Sequence, residues 1–204
     1  NRELEQKFKS KILINFTFDP QQIYCNKRIA KLEDFKGVKI RVWGAEPAEL
    51  LKAWGAAAVF MPVIEVYTAL QHKTVDGAVT GYFTGYTSNY PDVVKYCNMW
   101  DWANTPSLFV VMNIEAFNRL PKDVQKILLD TSQKIEEKGW KIAPGVSDEL
   151  KGKLQAKGME MVSVPASERE KGAKFAPAVW GTWEKHGGPV CSEALKAALK
   201  AIGR

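Results

Sequence analysis

One arginine stands out among the residues able to do chemistry. Arg41 lies in Val38-Lys-Ile-Arg-Val-Trp43, whose apolar and polar residues alternate with the period of a β-strand. Side chains two apart on a strand share a face. Lys39, Arg41 and Trp43 are therefore expected on one side, with Val38, Ile40 and Val42 on the other against a helix layer. A guanidinium fork matches a carboxylate through two parallel hydrogen bonds, and Trp43 would supply an apolar wall beside it. An arginine at the C-terminal end of a parallel strand also stands where open α/β sheets bind ligands. A surface ion pair, or an anchor between two lobes, is the plainer alternative, and spacing alone leaves these open.

A second cluster, Thr80-Gly-Tyr82-Phe83-Thr-Gly85-Tyr86, follows the apolar run Val75-Asp-Gly-Ala-Val79. Glycines let backbone approach a ligand and aromatic rings give contact area, so the cluster fits a binding rim. It fits equally a helix start packed by its aromatics. Trp100 and Trp102 are ambiguous, whereas Trp180 and Trp183, three apart on an expected helix, read as core packing.

Catalytic sets are thin. No G-x-S-x-G elbow, phosphate loop or dinucleotide fingerprint occurs, and neither His72 nor His186 has a nucleophile placed beside it at a turn. Cys25, Cys97 and Cys191 are far apart, without the paired spacing of a zinc site, so neither a metal nor another cofactor is expected. Buried free thiols are the simplest reading of these cysteines. Glu136-Glu137 sits among lysines, the pattern of a solvated helix face. These residues point away from an enzyme.

The chain has 204 residues with 29 basic and 23 acidic side chains, a net charge of +6. Only 6 of the 29 are arginine, and the lysines are scattered, as at Lys122, Lys126, Lys134, Lys138 and Lys141. Nucleic-acid recognition favours arginine forks and clustered charge, so a nucleic-acid partner is not expected. Hydrophobic residues make up 46%, enough for a core without metal or disulfide staples. The longest nearly apolar stretch, 54–64, is too short for a membrane span, which needs about 20 residues.

The elements that would hold Arg41 follow from periodicity. A charged helix over 2–10 precedes a strand over 11–18, which Asp19-Pro20 ends. After the turn at Lys36-Gly37 come the Arg41 strand, a helix over 47–54 stopped by Gly55, a short strand over 57–61, a helix opened by Pro62, and a strand over 77–80. That is the rhythm of a parallel sheet covered by helices. Ser107-Leu-Phe-Val-Val-Met112 reads as a buried central strand. A helical tract from Leu120 to about Lys157 contains Gly139, Pro144 and Gly145, which are expected to bend or break it. A strand over 159–164 and two terminal helices complete an α/β chain.

Four blocks occur in the order found in solute-binding proteins of TRAP transporters of the DctP type. Leu32-Glu-Asp-Phe-Lys-Gly37-Val-Lys-Ile-Arg41-Val resembles one family segment. Pro62-Val-Ile-Glu65-Val-Tyr67-Thr-Ala69-Leu70-Gln71 with Val75-Asp76-Gly77 resembles the next. Asn113 before Phe117-Asn-Arg-Leu120-Pro121-Lys-Asp123-Val-Gln125-Lys, and the Gly158-Met-Glu-Met-Val strand with its tryptophan-bearing tail, extend the likeness.

The resemblance implies a type II periplasmic-binding-protein-like fold: two lobes of helices packed on mixed sheets, with the first lobe incomplete. Residues 1–20 and 106–145 would be a remnant of lobe one with a crossover and long helix. Residues 21–105 and 146–204 would form the ligand-binding lobe two. It further implies a periplasmic receptor that closes on a small organic acid and delivers it to the membrane subunits of an ion-driven TRAP transporter. A sensing module of the same fold, reporting to a signalling partner, is the alternative. Arg41 falls on the family's carboxylate-clamping arginine. Thr80 stands where sialic-acid-type members have an asparagine, Val63 where they have an aromatic, and Gln21 where they have a second arginine. These departures argue against a sialic acid. Trp43, Tyr82, Phe83 and Tyr86 point to a more apolar acid. Family members carry a substantial portion ahead of the residues matching Asn1, so a piece of a longer protein is expected, with self-association through the exposed edge of the shortened lobe.

Overall fold

The structure is a computed structural model in which residues 2–17, 19–103, 107–201 and 203 are described. Phe18, at the end of the expected first strand, and the side chain of Trp102 lie outside the described set. Helix α1 (Arg2–Phe8) leads into β1 (Ser10–Thr17), and β2 (Gln21–Cys25) follows. Next come β3 (Lys39–Val42), α2 (Ala45–Ala53), β4 (Ala57–Phe60), α3 (Val63–Gln71) and β5 (Gly77–Thr80). The helix α4 (Tyr82–Thr87), strands β6 (Tyr96–Ala103) and β7 (Ser107–Asn113) and helices α5 (Ile114–Arg119) and α6 (Lys122–Ala156) follow. The chain ends with β8 (Glu160–Ser163) and α7 (Ala166–Ala173), α8 (Ala176–Gly187) and α9 (Pro189–Ala201).

Six strands form one sheet in the order β4-β3-β5-β2-β6-β8. The β3–β4 and β3–β5 pairs are parallel, as the strand–helix rhythm predicts, and β6, which periodicity did not mark, runs parallel to β8. The sheet is nevertheless mixed, because β2 enters antiparallel between β5 and β6. Sequence periodicity misses β2: Gln21-Gln22 looks like loop. Both are buried, and Gln22 meets Asp101 through Nε2 to Oδ1 at 2.7 Å and by accepting its backbone N–H. Amide groups are tolerated in a central strand when each finds a partner.

Period-two alternation sorts the sheet into two cores. Ile23, Cys25, Ile40, Val42 and Val79 face α2, where they meet Phe35, Leu51, Trp54 and Trp100. Tyr24, Ala78 and Cys97 face the other way, against Val66 and Leu70 of α3, Tyr82 of α4, and Leu150 and Leu154 of α6. Val38, Ile40 and Val42 thus pack as expected. Cys25 and Cys97 are buried free thiols and Cys191 is half-buried. Burial pushes the Cys97 thiol up to about 12 and raises that of Cys25. Only the thiolate reacts, so a chromogenic disulfide at pH 8 should titrate about one cysteine in the native protein and all 3 after unfolding. Three fast-reacting thiols in the folded state would contradict this packing.

Three expectations about these elements need correction. The apolar run 107–112 is not a buried central strand. Among the described residues β7 pairs only with β1, as an antiparallel two-stranded sheet, and Leu108, Phe109, Val110 and Val111 are exposed. Composition marks such a strand as able to be buried; what covers it is decided by the rest of the fold. Of the bend or break expected at Gly139, Pro144 and Gly145, no break occurs: the long helix runs unbroken through 35 residues. A helix of that length extends about 52 Å. It is held on both sides of Pro144, so tertiary contacts offset the hydrogen bond that proline removes. On one side Trp140 Nε1 donates to Asn15 O at 3.1 Å and Glu136 accepts the Asn15 N–H at 2.6 Å; on the other, Leu150 and Leu154 enter the core. Glu136 is therefore a tie to β1 rather than part of a solvated face. The scattered lysines named above are all exposed, as expected.

Candidate ligand-binding site

Arg41, on β3, is only 4% exposed. Its Nε donates to the carbonyl of Met61, beyond β4, at 2.8 Å, and Nη1 donates to the carbonyl of Val79 on β5 at 3.3 Å. The fork is thus held across three neighbouring strands at the edge where they end. Among the described residues no carboxylate lies within ion-pair distance, and Nη2 has no acceptor. Burial lowers its pKa somewhat, although a guanidinium remains charged throughout the accessible range. Burying a cation is costly unless an anion meets it, so this geometry rules out the surface ion pair and leaves donors available for a carboxylate.

The same edge carries the other candidates. β2 runs antiparallel to β5, so its first residues lie beside the last of β5, and Gln22 pairs with Thr80. Gln21 and Thr80 are buried there, and Gln21 Nε2 donates to the Asp19 carbonyl at 3.0 Å. Asp19 reaches the start of α4, where it accepts the Phe83 N–H at 3.0 Å, and burial raises its pKa. Beyond the strand ends stand exposed apolar side chains: Phe60 (71%) and Ile64 (86%), with Val63 and Phe83 less so. Phe60, Val63 and Ile64 follow one another closely along the chain, so their exposed side chains are candidates for an interaction surface.

The comparisons identify the family. Residues 1–186 match the family of bacterial extracellular solute-binding proteins, family 7, of the DctP type. The chain belongs to this family. A Haemophilus influenzae protein of unassigned function is 30% identical over 69% of the chain and 43% of its own length. The 2,3-diketo-L-gulonate-binding periplasmic protein of Escherichia coli is 26% identical over 64% of the chain and 40% of its own. Among solved structures, a Bordetella pertussis extracytoplasmic solute receptor binding pyroglutamic acid superposes with a TM-score of 0.87 at 29% identity, covering 96% of this chain and 64% of that one. A TRAP periplasmic solute-binding protein from Shewanella oneidensis with bound succinate gives 0.85 at 25% identity, covering 97% and 66%. The chain therefore spans less than half the length of these curated relatives and about two thirds of the solved chains.

In this DctP-type chain the predicted residues separate by depth and by face. Arg41, Thr80 and Gln21 share the buried edge, and Val63 and Phe83 are exposed beyond it. Tyr82 does not: its ring is buried in the core with Tyr24 and Leu154, because the first turn of α4 points it inward. Tyr86 is half-buried beneath the Lys153 and Lys157 ammonium groups. Trp43 also departs from the strand argument. β3 ends at Val42, so alternation no longer governs Trp43, and it lines a cavity of about 710 Å³ against α2 that does not include Arg41. Trp180 lines the same cavity and Trp183 is exposed, so neither is the core residue that helical spacing suggested.

Sequence reasoning missed Asp19, Phe60, Ile64 and Tyr90. The Tyr90 hydroxyl is buried without a hydrogen-bond partner, pushed up to about 12 by burial and drawn back by the Arg41 charge. Only Phe60 and Ile64 carried a local signal, as apolar residues flanking Pro62 at a strand end. Among the described residues no cluster suited to a metal ion occurs, and no helix is long and apolar enough to cross a membrane.

Proposed function

We propose that this chain is the ligand-binding part of an extracytoplasmic receptor that captures a small organic acid in the periplasm and passes it to the membrane subunits of a TRAP-type transporter. The observation that carries the reading is the buried, carboxylate-free guanidinium of Arg41, aimed from the edge where β3, β4 and β5 end. A carboxylate there gains charge-assisted bonds to donors already held in place. The relatives that bind pyroglutamic acid and succinate support a carboxylate ligand. The exposed side chains of Phe60, Val63, Ile64 and Phe83 favour an acid with an apolar body. The six-stranded sheet and its helices are read as the ligand-binding lobe, and the β1–β7 pair with the first part of α6 as belonging to the other lobe. Closure of one lobe on the other would be favoured only as far as ligand binds the closed state better.

Native mass spectrometry of the purified chain tests this. A retained mass matching a small carboxylic acid, displaced by excess succinate or pyroglutamate, is the expected result. A chain that neither retains nor takes up any carboxylate at millimolar concentration, while folded, would overturn it.

A further inference from the structure

The cavity of about 710 Å³ beside α2 has a lining unlike that of the Arg41 edge, and Arg41 does not reach it. Four indoles border it: Trp54 and Trp100, nearly buried, with ring centroids 5.1 Å apart, and the more exposed Trp43 and Trp180. Both buried rings are fixed by their indole N–H groups, Trp54 to the Gly172 carbonyl at 3.2 Å and Trp100 to that of Ile29 at 2.9 Å. Trp54 and Trp100 also pack against Phe35, with ring centroids 5.0 and 4.9 Å from it, so they form the floor of the cavity, and the more exposed Trp43 and Trp180 are the indoles at its mouth.

The charges around the cavity are lopsided. Glu46, Asp101 and Glu170 contribute carboxylates against the single cation Arg169. Arg169 is already paired with Asp101 at 2.9 Å, and neither Glu46 nor Glu170 has an ion-pair partner among the described residues. Aromatic faces attract cations through their quadrupole, and uncompensated carboxylates add to the same potential. The volume suits a small organic molecule.

We propose that this cavity is a second small-molecule site, selective for an organic cation of the quaternary ammonium class and separate from the carboxylate site at Arg41. Its occupant is opposite in charge to the anion that Arg41 serves.

Choline chloride is the probe, with 3,3-dimethyl-1-butanol as its uncharged isostere and sodium chloride as the salt control. Binding is read by tryptophan fluorescence and by calorimetry on the whole 204-residue chain. Saturable choline binding is expected, with the isostere about tenfold weaker, the difference a desolvated cation–π contact makes. Saturating succinate should leave choline affinity unchanged, and Trp180→Leu should weaken it about tenfold. Where Trp180→Leu loses its fold by circular dichroism, Glu170→Gln serves instead, with an expected loss of about threefold from one removed charge. No saturation by ~10 mM choline, ten times a weak Kd of about 1 mM, overturns the proposal. Equal affinity for the isostere, no effect of either cavity substitution, or displacement of choline by succinate would each overturn it too.

Discussion

Replacing Arg41 with lysine should reduce affinity for a small carboxylate about 10- to 100-fold, and replacing it with alanine should abolish measurable binding. Lysine keeps the charge but loses the fork, and a charge-assisted hydrogen bond is worth about 1.5–3 kcal/mol. The structure adds a second consequence. Arg41 also satisfies the carbonyls of Met61 and Val79, so either substitution leaves buried acceptors unmet and lowers stability by about 1–3 kcal/mol. Melting temperature of the apo protein therefore falls whether or not Arg41 meets a ligand. The decisive measurement is the rise in melting temperature on adding saturating succinate or pyroglutamate. In the wild-type chain that rise should be several degrees; in a folded Arg41→Lys chain it should shrink, and in a folded Arg41→Ala chain it should vanish. A variant that melts earlier yet keeps the full ligand-induced rise would make Arg41 a strand anchor and nothing more.

The largest purely structural effect is expected at Asn98. This side chain on β6 is fully buried; its Oδ1 accepts the Ile29 N–H at 2.7 Å, and its Nδ2 donates to the carbonyls of Ile23 at 3.1 Å and Lys27 at 3.3 Å. It fastens the segment leaving β2 onto the middle of the sheet. Asn98→Leu is close in volume but orphans these partners, at a cost of about 3–5 kcal/mol. For a chain of this size that corresponds to a fall of about 6–20 °C in melting temperature. Asn118→Leu serves as the control for handling, since its side chain makes no contact of this kind. A fall of less than about 2 °C in Asn98→Leu, within the ordinary range for surface changes, would show that water replaces the lost partners.

The candidate site divides along a physical line. Arg41 was readable because a guanidinium inside an apolar, alternating strand is costly without a purpose, and alternation also predicted that Ile40 and Val42 would face α2. Tyr90 and Asp19 were not readable. Tyr90 lies beside Arg41 only because it packs edge-on to Tyr24 on β2, and Asp19 reaches Phe83 across 64 residues. Neither position carries a local pattern that announces such a meeting. Tyr82 and Phe83 show the limit most plainly. They are adjacent in one aromatic cluster, yet one turn of helix buries the first ring and exposes the second. Trp43 shows it again, since alternation is informative only while the strand lasts.

By itself the sequence determined the local alphabet: the α/β rhythm from β3 to β5, most of the helices, and an arginine set in an alternating apolar strand. These follow from periodicity, proline and glycine, which act over a few residues. The tertiary structure decided the rest. It inserted β2 antiparallel and hid two glutamines in the sheet, left β7 exposed on a two-stranded ribbon, carried α6 unbroken past Pro144, and gathered four tryptophans from distant segments around one cavity. Each of those outcomes depends on a partner far along the chain, and a contact whose energy lies in pairing remote groups leaves no periodic trace at either end.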